Sequence, residues 1–266
     1  MEKTTDQFSK GFWLTELTLL DKVVKYLAPG SRIDAYTKKD HDTHFNGTPS
    51  FAFISHNDPT SWIQFAALLG SNAAKRIREG TAAKSKAFIL FHPKLYSLPL
   101  FSTLAAKYSV KVTCPDDIAQ IVLNNKNVCF GTCPEGDNCF FDFDEPIAPF
   151  RSYGLIKMAL QLGINMCVLT SHQDKKQSIS VKVPLLGVLR KGAKSLRIPL
   201  IRPTKLLMTY SYVTPHIRPE VFNALDEDGQ RKAVNTAAIE IRNTMEGHYE
   251  YLQAVHAGDA EMPRWK

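Results

Sequence analysis

The hydrophobic positions along the chain change period repeatedly, and the changes mark elements. TPSFAFIS (residues 48–55) packs aromatic and β-branched residues into a short run, which predicts a buried strand over 50–55. Asp58 and Pro59 follow as an N-cap and first helical residue, opening a helix over 59–79. Further on, the pattern predicts strand 87–91, helix 96–108, short strand 109–113, helix 115–124, strand 127–132, helix 151–162, strand 164–170 and a strand near 206–213. Strands alternating with helices predict an α/β fold with a largely parallel sheet flanked by helices. At the front, residues 8–28 space Phe12, Trp13, Leu17, Leu20, Val24 and Leu27 as an amphipathic helix would, and residues 37–48 read as a polar loop. At the back, Ala237, Ile241, Met245 and Tyr249 stay in helical register, which predicts a C-terminal surface helix. The expected organisation is an N-terminal helical region over 1–45, an α/β core over 46–215 and a C-terminal helical extension over 216–266.

Composition narrows the class. With 266 residues and 44% apolar content the chain can bury a substantial core. No run of eighteen apolar residues occurs, and MEKTTDQFSK has no apolar stretch of the secretory kind, so the sequence predicts neither a membrane span nor export. Five cysteines, at 114, 129, 133, 139 and 167, form no CxxC pair; reduced thiols in a cytosolic setting and no metal site are expected. The formal charge of +7 calls for an acidic partner. Lys182, Arg190, Lys191, Lys194, Arg197, Arg202 and Lys205 alternate with Val, Leu and Ile, a mixture suited to an anionic membrane surface, or equally to core coverage by lysine stems. Neither an aromatic stacking platform nor a recognised binding motif accompanies these cations, so nucleic acid is not the expected partner.

Candidate chemistry concentrates in two stretches. FISHNDPTSW (residues 53–62) puts His56 on the joint between strand and helix, where a rigid strand end can present a side chain to a cleft. NVCFGTCPEGDNCF (residues 127–140) reads as a buried strand broken at Pro134, Glu135 and Gly136, with a carboxylate exposed on the turn. PFRSYGLIKMALQLGINMCVLT (residues 149–170) adds an aromatic and basic loop, a helix and another strand.

In this order the three stretches resemble the lysophospholipid acyltransferase superfamily, whose members move acyl chains from a thioester to a lipid acceptor. The resemblance covers about residues 46–240 and implies a glycerolipid acyltransferase-like fold. It implies His56 as general base on the acceptor hydroxyl, with acyl-CoA or acyl carrier protein delivering the thioester and no other cofactor. It also implies that Glu135 and Gly136 shape the acceptor site. An apolar groove for the acyl tail would be bordered by Trp62, Phe65 and the N-terminal helix, and core packing is the equally simple role for those residues. In the family's NHxSxxD motif, Ser stands two residues and Asp five residues after the histidine; here Asp58 and Ser61 have exchanged places. Asp58 either still reaches the His56 ring or only caps the helix; both readings stand at this point. Where the family holds an acceptor phosphate, this chain has Asp137 and Asn138, so a neutral or amine acceptor is expected unless Arg151 or Lys157 restores positive charge. The alternative function is a non-catalytic lipid-binding or scaffold protein on the same fold. The sequence leaves oligomeric state, acyl length and acceptor open.

Overall fold

The computed structural model describes residues 12–13, 29–44, 49–55, 86–89, 115–124, 128–136, 138, 141–142, 146–173, 180–183, 195–199 and 205–265. Ten strands are described: β1 (Phe12–Trp13), β2 (Arg32–Ala35), β3 (Ser50–Ile54), β4 (Lys86–Ile89), β5 (Val128–Thr132), β6 (Phe141–Asp142), β7 (Asn165–Gln173), β8 (Ser180–Val183), β9 (Ser195–Pro199) and β10 (Leu206–Val213). The helices are α1 (Lys38–His44), α2 (Pro115–Asn124), α3 (Gly154–Leu162), α4 (Pro219–Ala224) and α5 (Glu227–Ala257).

A seven-stranded mixed sheet runs in the order β1, β4, β5, β3, β7, β10, β2. Its middle four strands, β4, β5, β3 and β7, are parallel, and β10 joins β7 antiparallel while pairing with β2 in parallel. The expected α/β class with a largely parallel sheet therefore holds. Because β3 is covered on both faces, its sequence SFAFI reads as a continuous apolar run rather than a strict alternation. Phe51 and Phe53 join one core with Met166, Val168, α2, α3 and the stripe Ala233, Val234, Ala237, Ala238, Ile241 and Met245 of α5. Ala52 faces the other way, with Ile33, Ala35, Cys167, Leu169, Leu206, Met208 and Tyr210.

Two expectations are corrected, and one stretch gains elements that the pattern did not predict. Residues Phe12 and Trp13, assigned to an amphipathic helix, form β1, an antiparallel edge strand on Ala87 and Lys86; two aromatic residues satisfy strand pairing as well as helical periodicity. The loop expected over 37–48 contains α1, which starts where Asp40 folds back on Thr37, accepting from its amide at 3.2 Å and its hydroxyl at 2.5 Å. Asp40 also accepts the Tyr212 amide at 2.8 Å and so fastens α1 to β10. Finally, the stretch between 182 and 205 contains strand structure: β8 and β9 pair antiparallel, and β6 completes a second, three-stranded sheet.

The C-terminal helix is amphipathic as expected, yet it belongs to the core rather than extending from it. Asp226 caps it, accepting from Gly229 N at 2.8 Å, and Gly258 ends it in the left-handed conformation at φ 89°. Beyond α5, Met262 packs on Leu207 and Leu252, and Trp265 Nε1 donates to Ala35 O at 2.9 Å on β2, the last strand of the described sheet. Among the described residues no helix is long and apolar enough to cross a membrane.

Candidate active site

β3 and β5 lie side by side in parallel, with Ser50 opposite Cys129 and Phe53 opposite Thr132, so the chain leaves both strands at the same sheet edge. Ligands in parallel α/β sheets bind outside this carboxyl edge. On the β3 side the backbone is fixed through Ser55, whose amide donates to Leu169 O at 2.9 Å and which is buried. His56, Asp58 and Ser61 come next in the sequence and lie outside the described residues, as do Trp62 and Phe65.

On the β5 side, the chain turns tightly through Cys133, Pro134, Glu135 and Gly136. Gly136 N donates to Cys133 O at 3.0 Å, and Asn138 N donates to Glu135 O at 3.1 Å. Gly136 takes φ +58°, which L side chains rarely adopt; a Cβ there would meet Arg151 Cβ at an ordinary 3.8 Å, so backbone conformation rather than space demands glycine. Glu135, expected to expose its carboxylate on the turn, is instead 0% exposed, because the turn folds back under the loop that precedes α3. The turn is clamped from outside, because Pro134 O accepts from Arg151 N at 2.7 Å and from Ser152 N at 3.1 Å.

The structure thus brings Glu135, Gly136 and Arg151 together, with the exposed Arg151 over the turn. Asp137 lies outside the described residues. Asn138 stands where the family resemblance implies contact with an acceptor phosphate, but it is buried and its Nδ2 donates to Pro149 O at 2.6 Å. Its side chain ties the turn to the loop that precedes α3.

Nucleophilic thiol chemistry has no support at the described cysteines with shifted acidities. Burial raises the pKa of Cys129, and burial together with nearby Cys129 raises that of Cys167 well above the ordinary value, so both stay protonated. Cys129, Cys133 and Cys167 are not joined in disulfides.

Sequence reasoning missed two histidine sites. β7 extends to Gln173, three residues past the expected end, and carries the buried His172 to the same sheet edge. The His172 ring lies 4.8 Å from that of His256 and 5.0 Å from Tyr249, and His256 Nε2 is 3.3 Å from His172 O. The second is His248, buried in the α5 stripe and paired with Thr170. Its signal was available, since it stands three residues after Met245, on the face that goes inward.

No protein-family model matches the chain, and no curated protein matches it.

Proposed function

We propose that the protein is an acyltransferase of the lysophospholipid acyltransferase type, moving a fatty acyl chain from acyl-CoA or acyl carrier protein to a lipid hydroxyl or amine. The observation that carries this reading is the parallel register of β3 and β5, with Phe53 opposite Thr132. It makes the strand that runs into His56 and the strand that runs into Glu135 and Gly136 end at one edge. That juxtaposition is what a one-histidine mechanism requires of the fold. A neutral imidazole takes the proton of the acceptor hydroxyl as the oxygen attacks the thioester carbonyl, the C–S bond breaks, and the thiolate leaves without strong acid assistance. In this reading His56 is the base, Asp58 holds its ring, Glu135 and Gly136 shape the acceptor site, Asp137 disfavours a phosphate, and Arg151 supplies positive charge. The partners are the thioester donor, a lipid acceptor and an anionic membrane surface, which the protein touches peripherally from the cytoplasmic side.

The second reading, a lipid-binding or scaffold protein, is favoured by the complete burial of Glu135 and by the commitment of Asn138 to Pro149 O. Release of free thiol from long-chain acyl-CoA and from acyl carrier protein thioester, with mixed lysolipid and long-chain amine acceptors, separates the two. Turnover that disappears in His56→Ala supports the enzyme; acyl-CoA binding without turnover in either protein supports the alternative.

A further inference from the structure

Tyr36 N donates to Tyr210 O at 2.8 Å, and Ala35 stands opposite Tyr210 in the parallel register of β2 and β10. Residues of such a ladder turn their backbone groups to alternate sides, so Asp34 and Tyr36 face β10 while the N–H and C=O of Ile33 and Ala35 point away from it, out of the described sheet. Backbone groups in that position are a template for a further strand.

The C-terminal tail lies across this template. Its last backbone-to-backbone bond among the described residues is from Asp259 N to Ala254 O at 2.9 Å, and beyond it side chains hold the tail in place. Tyr251 OH donates to Glu261 O at 3.1 Å and Met262 is buried with Leu207 and Leu252 on the α5 face, whereas Trp265 packs with Ile33 and Ala35 on the opposite face. The tail therefore rounds the sheet at β2. On the way Pro263 O accepts from Arg32 Nη2 at 3.5 Å, and Trp265 Nε1 donates to Ala35 O at 2.9 Å. The tail covers the strand without extending the sheet, because Pro263 has no N–H for a ladder and residues 261–265 form no strand.

The covered strand is self-complementary. Two copies of Arg32–Ala35 placed antiparallel about a twofold axis at Ile33 set Ile33 opposite Ile33, where the outward backbone groups meet, and set each Arg32 opposite the Asp34 of the other copy. The register centred on Asp34 puts two carboxylates face to face and is disfavoured. Within one copy Arg32 Nη2 donates to Asp34 Oδ2 at 2.6 Å, so the cation and the anion share one side of the strand. A twofold pairing of this kind closes on itself.

We propose that residues 259–265 are an autoinhibitory strap, which occupies the outer edge of β2 and so keeps it from pairing with the β2 of a second copy of this chain in the register centred on Ile33. The strap is independent of the acyl-transfer reading.

Sedimentation velocity of the full chain, of a chain ending at Gly258 and of full-length Trp265→Ala tests the proposal, with circular dichroism to establish that each is folded. The shortened chain should form a dimer at least about tenfold more tightly than the full chain, and Trp265→Ala should move in the same direction. A peptide of residues 259–266 added to the shortened chain should reverse the gain. In the shortened chain Asp34→Arg sets arginine against arginine and should abolish the dimer, and Arg32→Asp combined with Asp34→Arg should restore it. If the shortened chain does not fold, Trp265→Ala carries the comparison, with the same charge changes built on it. The proposal is overturned if the folded variants associate no more tightly than the parent, or if Asp34→Arg leaves the dimer as tight as before.

Discussion

Thr170 of β7 and His248 of α5 meet in the protein interior, hydroxyl oxygen to Nδ1 at 3.3 Å, and join the central sheet to its longest helix through a titratable group. Burial depresses the His248 pKa to about 4, from 6.5 in an unfolded chain. Between those values the unfolded state binds a proton that the folded state does not, so stability rises with pH across the window and is lost as pH falls. Between pH 7 and pH 5 this one group should remove about 2 kcal/mol, the loss levelling off below pH 4. Urea unfolding at the two values, compared with His248→Gln, measures it. The variant should lack that share of the pH dependence, and parallel pH profiles would place the acid sensitivity elsewhere.

Gly163 closes α3 at φ 66°, and a Cβ there would lie 2.7 Å from Pro219 Cγ, at the start of α4. Left-handed backbone costs an L residue roughly 1–2 kcal/mol, and here the rigid proline ring adds steric overlap. Gly163→Ala should therefore lower unfolding free energy by about 2 kcal/mol or more. Gly258→Ala, with φ 89° but open space around the missing Cβ, should show only the backbone share of the penalty.

The pair Asp137 and Asn138 separates by role. Asn138→Ala removes the donor to the Pro149 carbonyl and should cost roughly 1–3 kcal/mol. Asn138→Arg should destabilise at least as much, because a longer charged group has no space in a buried position. Asp137→Thr should leave the thermal midpoint nearly unchanged and raise use of phosphate-bearing acceptors relative to neutral ones. An Asn138→Arg protein as stable as the parent would show that the turn can reopen toward the acceptor.

Much of this framework was legible because the signals were local. The strand at Leu206–Val213 and the helix at Pro115–Asn124 fall where periodicity put them, since each element carries its own buried face. Gly136 marked a turn because it needs a backbone conformation that glycine alone adopts freely. What local pattern could not give was pairing. Phe12 and Trp13 satisfy a helical stripe as readily as a strand, and only their partners Ala87 and Lys86 decide. Asp40 reads as an ordinary acid in a polar loop until the amide of Tyr212, far along the chain, turns it into a fastening. Asn138 was read through its resemblance to a phosphate-binding position, whereas its bond to Pro149 O depends on how the following loop returns. Of the candidate site, the β5 half can be followed in three dimensions; the half built on His56, Asp58 and Ser61 rests on the sequence resemblance.

Membrane association carries its own expectation. Lys182 and Arg197 hold opposed register positions on β8 and β9, in the stretch whose cations alternate with apolar residues. Each cation near an anionic bilayer contributes about 1 kcal/mol. Co-sedimentation with phosphatidylserine vesicles should exceed that with phosphatidylcholine, fall as salt rises and fall again in Lys182→Glu with Arg197→Glu. Equal binding to both vesicle types would remove the membrane from among the partners.

Glu135 offers the clearest separation of catalysis from architecture. It is fully buried in a turn whose backbone is already held by Cys133 O, Pro134 O and Arg151 N. Glu135→Gln preserves volume and most hydrogen-bonding capacity, so the turn should persist and the thermal midpoint should stay close to that of the parent. If the carboxylate contacts the acceptor, however, kcat/KM toward the acceptor should drop about tenfold or more, a loss of about 1.4 kcal/mol or greater in transition-state stabilisation. The thioester KM should hold steady, because the donor is bound elsewhere in the proposed arrangement. A stable Glu135→Gln protein with unchanged acceptor kinetics would remove the carboxylate from the acceptor site, and a protein that loses stability and activity together would make Glu135 a structural residue.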